Sequence, residues 1–271
     1  SGYLFNTNHS PFNATDKNEN LKNKDFDPTM GYETLQNNRS ERFEELINEY
    51  GKLNYDDFKR IKYDNQLPKN LKFAVDLDEL FKLNPKEYPD LEILIDRIQQ
   101  WDRKTDVSSK GAAAFLILYY ELRKNIKTID YNNRPKISKE SILEALKSTK
   151  EYMMTHFGNV EIELGDYQKL VRGNIEKPMW GMPDVLTASH ARPYKDGKVK
   201  VEQGESYIAL ARFSKTGLPE IETMLNYGNS TTENSPHFAD QMESYLAKQP
   251  KKMTLDKEEI LKNAVRNYHP K

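Results

Sequence analysis

Hydrophobic positions along the chain change period twice, and the changes divide it into segments 1–39, 40–157 and 158–271. At the N-terminus Gly2-Tyr3-Leu4-Phe5 is a short apolar run that predicts a strand. Ser10-Pro11 closes it, because proline cannot donate to a ladder and biases its predecessor away from helix. The stretch 13–23 is too rich in Asn, Asp and Lys to pack and reads as a surface loop. Helical spacing then takes over. Phe43, Leu46, Ile47 and Tyr50 fall at i, i+3, i+4 and i+7, with Arg39 in the first turn and Gly51 at the stop. Asn54 can cap a short helix that turns Phe58 and Ile61 inward, with Asp57 in its first turn. Pro89 opens a longer helix whose stripe is Leu91, Leu94, Ile95, Ile98 and Trp101. Residues 108–124 are almost continuously apolar from Ala112 to Tyr120 and predict a buried helix, and Ser138 can cap another over 140–154.

Beyond that the period becomes two. Val160, Ile162 and Leu164 alternate with Glu161 and Glu163, which predicts a half-buried strand. Val199 and Val201 alternate with Lys198, Lys200 and Glu202, and Gln203-Gly204-Glu205 would turn that strand into 206–213 as a hairpin. A further strand is expected over 221–227, then a polar loop, then a last helix carrying Ile260, Leu261, Ala264 and Val265. Asp256 and Glu259 offer that helix a capping box. The expected class is α+β, a helical block between a first strand and a later antiparallel sheet.

Composition narrows the functions rather than choosing one. A net charge of −1, from 41 basic and 42 acidic residues, supplies no basic footprint for nucleic acid. No stretch approaches the roughly 18 apolar residues of a membrane span. The absence of cysteine excludes disulfides and thiol chemistry. His9, His156, His190, His237 and His269 are too scattered for a zinc motif, and no phosphate-binding glycine loop is present.

Candidate chemistry concentrates in Asn6-Thr7-Asn8-His9-Ser10-Pro11-Phe12, where two amides, an imidazole and two hydroxyls follow the first apolar run. An Asn at such a point can aim its NH2 at a developing oxyanion; equally, Asn6 and Asn8 can satisfy turn backbone. Arg39 reads either as an exposed helix-start cation or as a group that organises a site. His237, after a proline in a loop, reads as a structural hydrogen-bonding residue, and Trp101, Phe115 and Tyr119 read as core.

That first stretch resembles the Asn-x-Asn-x-x-Pro segment in the β-subunit of the penicillin acylase family, N-terminal-nucleophile hydrolases that include acyl-homoserine lactone acylases. Other pieces resemble the family in the same order: Asn37-Asn38-Arg39 with Phe43-Glu44-Glu45-Leu46, Trp101-Asp102 with Asp106-Val107-Ser108-Ser109, Gly204-Glu205-Ser206-Tyr207-Ile208, and Ser235-Pro236-His237-Phe238-Ala239-Asp240-Gln241. The resemblance implies a share of a four-layer αββα fold, with an active-site loop in 1–39 and a sheet and last helix in 158–271 completing the core. It implies catalytic roles for Asn8 as oxyanion donor and for Arg39 as a charged organiser of that donor or of the substrate pocket. The reaction implied is cleavage of an acyl amide, such as a penicillin or an N-acyl-homoserine lactone, through an acyl-enzyme. It places the nucleophile upstream, so Ser1 reads as the start of a tag remnant or a proteolytic cut, and the chain alone is expected to be inactive. The implied partners are the α-subunit and the N-terminal part of the β-subunit, and the implied location is periplasmic or extracellular. No cofactor is required. A structural calcium is compatible with the family, and Asp25 or Asp27 lies near the relevant segment, although one carboxylate is not a site. A non-catalytic cell-surface module that keeps the fold is the alternative.

Overall fold

The computed structural model describes residues 2–73, 75–124 and 134–269 and divides into two compact units, Ser1–Val171 with Glu176–Gly204, and Arg172–Ile175 with Glu205–Lys271. It is a mixed α+β structure. In the first unit the helices are α1 (Asn38–Tyr50), α2 (Tyr55–Lys62), α3 (Asp78–Lys82), α4 (Glu92–Gln99), α5 (Lys110–Arg123), α6 (Lys139–Phe157) and α7 (Leu164–Tyr167). Local chemistry sets their ends. Asn37 and Asn54 each complete a capping box, Ser109 and Ser138 cap α5 and α6, and Gly51 and Gly158 close α1 and α6 at positive φ.

Helix α5 forms the centre of the core. All its residues from Gly111 to Tyr119 are buried, and Leu94, Ile95 and Ile98 of α4 with Ile142, Leu146 and Met153 of α6 belong to the same cluster. Trp101 lies outside α4, where it packs on Phe115 at 5.0 Å between ring centres. A Cβ on Gly111 would lie 2.5 Å from the indole, so only glycine admits this contact. Beside the helices lies a four-stranded sheet in the order β2-β1-β4-β3, built from β1 (Gln168–Arg172), β2 (Ile175–Pro178), β3 (Ser189–Pro193) and β4 (Val199–Gly204). Strand β4 runs parallel to β1 and antiparallel to β3, with a register shift between His190 and Ala191.

The second unit holds the antiparallel sheet β5 (Tyr207–Arg212), β6 (Glu220–Leu225) and β7 (Lys251–Met253), together with α8 (Met242–Leu246) and α9 (Lys257–Asn263). Asp256 caps α9 by accepting from the Glu259 amide, and Ile260, Leu261 and Val265 are exposed.

Four expectations need correction. Residues 2–5 form no strand: Phe5 N–H donates to the Ala14 carbonyl and Tyr3 C=O accepts from Thr15 Oγ1, so the extended backbone is satisfied by a loop instead of a ladder. The alternation at 160–164 is not a strand either. Leu164 N–H donates to Ser109 C=O and Gly165 N–H to Val107 C=O, which pins the segment to the loop before α5 while Ile162 and Leu164 bury in the helical core. The expected hairpin from 199–204 into 206–213 is absent because β1 and β3 already occupy both edges of β4, and β5 pairs with β6. Phe58 turns outward, with Ile61 the buried apolar residue of α2. Ser1 and residues 125–133 of the expected helical block lie outside the described residues.

Candidate active site

The start of α1 is the anchor. Asn37 Oδ1 accepts from the Ser40 amide at 2.9 Å, which supplies one of the helix's first unpaired N–H groups with an acceptor. The same side chain reaches across to the N-terminal loop, where its Nδ2 donates to Thr7 C=O at 2.8 Å and its Oδ1 accepts from Thr7 Oγ1 at 3.2 Å. A helix cap thereby doubles as the clamp on the loop that carries Asn8. Within that loop Asn6 Oδ1 accepts from the Asn8 amide at 3.0 Å, an Asx turn, so Asn6 takes the turn role.

Asn8 is exposed and has φ of 60°, in the left-handed region that non-glycine residues visit at a cost. Arg39, the second residue of α1, donates from Nη1 to Asn8 Oδ1 at 3.0 Å. A guanidinium has only donors, so the atom facing it must be the amide oxygen. Asn8 Nδ2 therefore points away from Arg39 as a donor, and it makes no hydrogen bond among the described residues. The cation also polarises the amide and strengthens its N–H as a donor.

Asp184 holds the other side of Arg39. Its Oδ1 accepts from Arg39 Nε at 3.1 Å, and its Oδ2 accepts from Asn38 N–H at 2.8 Å and Asn38 Nδ2 at 2.9 Å. The carboxylate thus sits at the positive end of α1 and binds the arginine that the same helix presents. Asn38 is fully buried, and its amide also exchanges hydrogen bonds with the Lys72 backbone. Burial lifts the Asp184 carboxyl above its ordinary range, with the Asn38 amide and Arg39 pulling the other way. The segment carrying Asp184 is itself tied down. Gln168 Nε2 donates to Gly181 C=O at 2.8 Å, and Gly181 N–H donates to Thr105 C=O at 2.9 Å. Gly181 must be glycine, since at φ of 86° a Cβ would lie 2.6 Å from Thr187 C=O. His190, at the β3 irregularity, has a pKa held below the ordinary histidine value, first by partial burial and then by the Arg39 charge.

The structure brings Asn8 and Arg39, the two residues the resemblance singled out, into contact, and it adds Asp184, Asn38 and His190, which the sequence reading did not assign. A model of the family described as penicillin amidase matches residues 1–262. The chain belongs to the penicillin amidase family. Among curated proteins it is 28% identical over 119 residues to the acyl-homoserine lactone acylase PvdQ of Pseudomonas fluorescens Pf0-1, and equally to that of strain Pf-5. Each match covers 43% of this chain and 15% of the relative, so the matched part spans a small share of those proteins. Among solved structures, a thermostable penicillin G acylase from Alcaligenes faecalis is 15% identical, with a TM-score of 0.26, covering 86% of this chain and 46% of that one.

The other segments that resemble the penicillin amidase family do structural work in this chain. Trp101 Nε1 donates to Lys104 C=O, Asp106 accepts from Asn65 Nδ2, and Ser109 caps α5. In the second unit His237 Nδ1 lies 2.8 Å from Asp240 Oδ2 in a local, exposed pair, beside Arg172 stacked over Phe238 and Tyr227 at 4.5 and 5.0 Å. Asp27 spends a carboxylate oxygen on Thr29 N–H and Oγ1, and no group of three or more His, Cys, Asp or Glu suited to a metal occurs among the described residues.

Proposed function

We propose that this chain forms part of an enzyme that hydrolyses acyl amides, with Asn8 as side-chain oxyanion donor and Arg39 as the group that orients it. The observation that carries the reading is the Arg39 Nη1 to Asn8 Oδ1 hydrogen bond at 3.0 Å, which fixes the amide with Nδ2 outward as the donor. A nucleophilic hydroxyl supplied by another segment of the enzyme attacks the acyl carbonyl, and the carbonyl oxygen gains the negative charge that Asn8 Nδ2–H meets. Collapse breaks the C–N bond as the proton given up by the hydroxyl passes to the leaving nitrogen, and the amine departs. Water then cleaves the acyl ester, freeing the acid and restoring the hydroxyl. Asn8 donates in both tetrahedral states, and its donor is preorganised because Arg39 and the Asp184 behind it hold the amide before substrate arrives.

Family membership and the acylase name of the curated relatives support the amide substrate class, a penicillin or an N-acyl-homoserine lactone being the two chemistries those names contain. The same resemblance supports assembly with an α-subunit and the N-terminal part of a β-subunit, completion of a four-layer αββα core, and a location outside the cytoplasm. The complete enzyme, assayed on a chromogenic phenylacetyl amide and on an N-acyl-homoserine lactone, tests the reading. Asn8→Ala should lower kcat about 100- to 1,000-fold, the usual effect of removing one oxyanion donor, with KM changed much less. Unchanged kcat, or a loss matched by unfolding in a thermal melt, would return Asn8 to a turn residue and favour a non-catalytic binding module.

A further inference from the structure

We propose that His9 is the positioning residue that keeps Asn8 in its donor conformation, an inference that rests on the oxyanion role of Asn8. The imidazole is buried, with 4% of its surface exposed, and stacks on Phe5 at 4.6 Å, while Phe5 stacks on Phe43 of α1 at 4.0 Å. Both ring nitrogens have partners. Nε2 lies 2.9 Å from the Asn13 carbonyl oxygen, which can only accept, so Nε2 carries the proton. Nδ1 accepts from the Thr7 amide N–H at 3.1 Å and is therefore the nitrogen with the lone pair.

That second hydrogen bond closes over Asn8. It joins the residue before Asn8 to the residue after it, while the Asn6 side chain holds the Asn8 amide and Asn37 holds Thr7 C=O. A left-handed φ on a residue with a side chain is strained and persists only where surrounding contacts over-determine it. His9 supplies such a contact from inside the aromatic stack, anchoring the exposed turn to α1, the helix that presents Arg39. Thr7 Oγ1 lies 2.9 Å from Nδ1 and 3.2 Å from Asn37 Oδ1, two acceptors that share its one proton. His9 meets no substrate atom in this account and acts through Asn8.

Three variants of the complete enzyme separate this role from plain packing. His9→Phe keeps a ring on Phe5 and loses both hydrogen bonds. His9→Gln can still donate to Asn13 C=O from the Nε2 position but offers Thr7 nothing. His9→Asn places Oδ1 near the Nδ1 position and can still accept from the Thr7 amide. Loss of one net hydrogen bond corresponds to about a tenfold effect, so kcat should fall about tenfold in His9→Phe and His9→Gln with KM nearly unchanged. His9→Asn should recover most of the loss. In an Asn8→Ala background, His9→Gln should lower kcat no further. Wild-type kcat in His9→Gln, or the same loss with and without Asn8, overturns the inference while leaving the donor role intact. Unchanged kcat in Asn8→Ala alone overturns the donor role itself. Thermal melts identify a variant that fails to fold, and His9→Gln decides the question if His9→Phe is such a variant.

Discussion

Arg39 and Arg42 leave the same helix three residues apart and end in opposite circumstances. Arg42 is saturated with acceptors: Nε and Nη2 form a fork onto Asp64 at 3.0 and 2.9 Å, Nη1 reaches Glu45 at 3.0 Å, and Nη2 also meets Gln66 Oε1 at 3.1 Å. Burial works against its charge, yet Asp64 and Glu45 outweigh burial and raise its pKa above the ordinary arginine value. Arg39 has one carboxylate, Asp184, and gives its remaining contact to the neutral amide of Asn8. An arginine forked onto one carboxylate and tied to a second, as Arg42 is, locks elements together. One that lends a donor to an amide fixes which end of that amide faces outward.

That contrast can be broken or sharpened by substitution. The largest effect is expected for Arg39→Lys in the complete enzyme. An ammonium cannot span Asp184 and Asn8 with a planar fork, and losing a charge-assisted hydrogen bond of about 1.5–3 kcal/mol lowers kcat roughly 10- to 100-fold with the melt preserved. Full activity in that variant would make Arg39 a surface helix residue. A smaller effect, with a distinctive pH signature, is expected at Asp184. Its folded pKa is raised, so its contribution to folding stability declines as pH rises from the ordinary aspartate range through the raised value. Activity runs in the opposite direction, because only ionised Asp184 holds Arg39 by charge. The kcat profile should therefore fall on acidification at a pH above the ordinary carboxylate range. Asp184→Asn should remove that limb and leave a plateau about tenfold lower, as for loss of one net hydrogen bond; a kcat titration from acid to neutral pH reads this directly. The smallest effect on catalysis belongs to Arg42→Lys, which should cost about 1 kcal/mol in urea unfolding while kcat stays within about threefold. A kcat loss there as large as at Arg39 would erase the distinction.

Much of α1 was legible because its signals are local. Arg39 in the first turn and Gly51 at the stop bracket an unbroken i, i+3, i+4, i+7 pattern, and such signals act over one or two turns, although the Asn37 cap was not read. The pairing of Asn8 with Arg39 was visible only through the resemblance to known acylases, since nothing in spacing links positions 31 residues apart. Asp184 was not visible at all. It meets Asn38 across 146 residues, and its Met-Pro-Asp surroundings carry no motif that marks a helix-end carboxylate. The alternation at 160–164 misled because two buried positions separated by one exposed glutamate fit a segment pinned across a helical core as well as they fit a strand. Glu161, on its polar side, is in fact paired with Arg97 of α4. The hairpin failed for a topological reason, since no single strand records that both of its edges are already occupied.

The central claim is that Arg39 turns the Asn8 amide so that its nitrogen, and not its oxygen, faces the reacting carbonyl. Asn8→Asp in the complete enzyme tests it most directly. Aspartate keeps the side-chain shape, tolerates the left-handed backbone and still accepts from Arg39, now as an ion pair, while an acceptor replaces the outward donor. The account predicts a kcat loss of about 100-fold or more, the cost of a missing oxyanion donor, with a melting temperature no lower than that of the parent enzyme. An Asn8→Asp enzyme that folds and turns over within about threefold of the parent would contradict it.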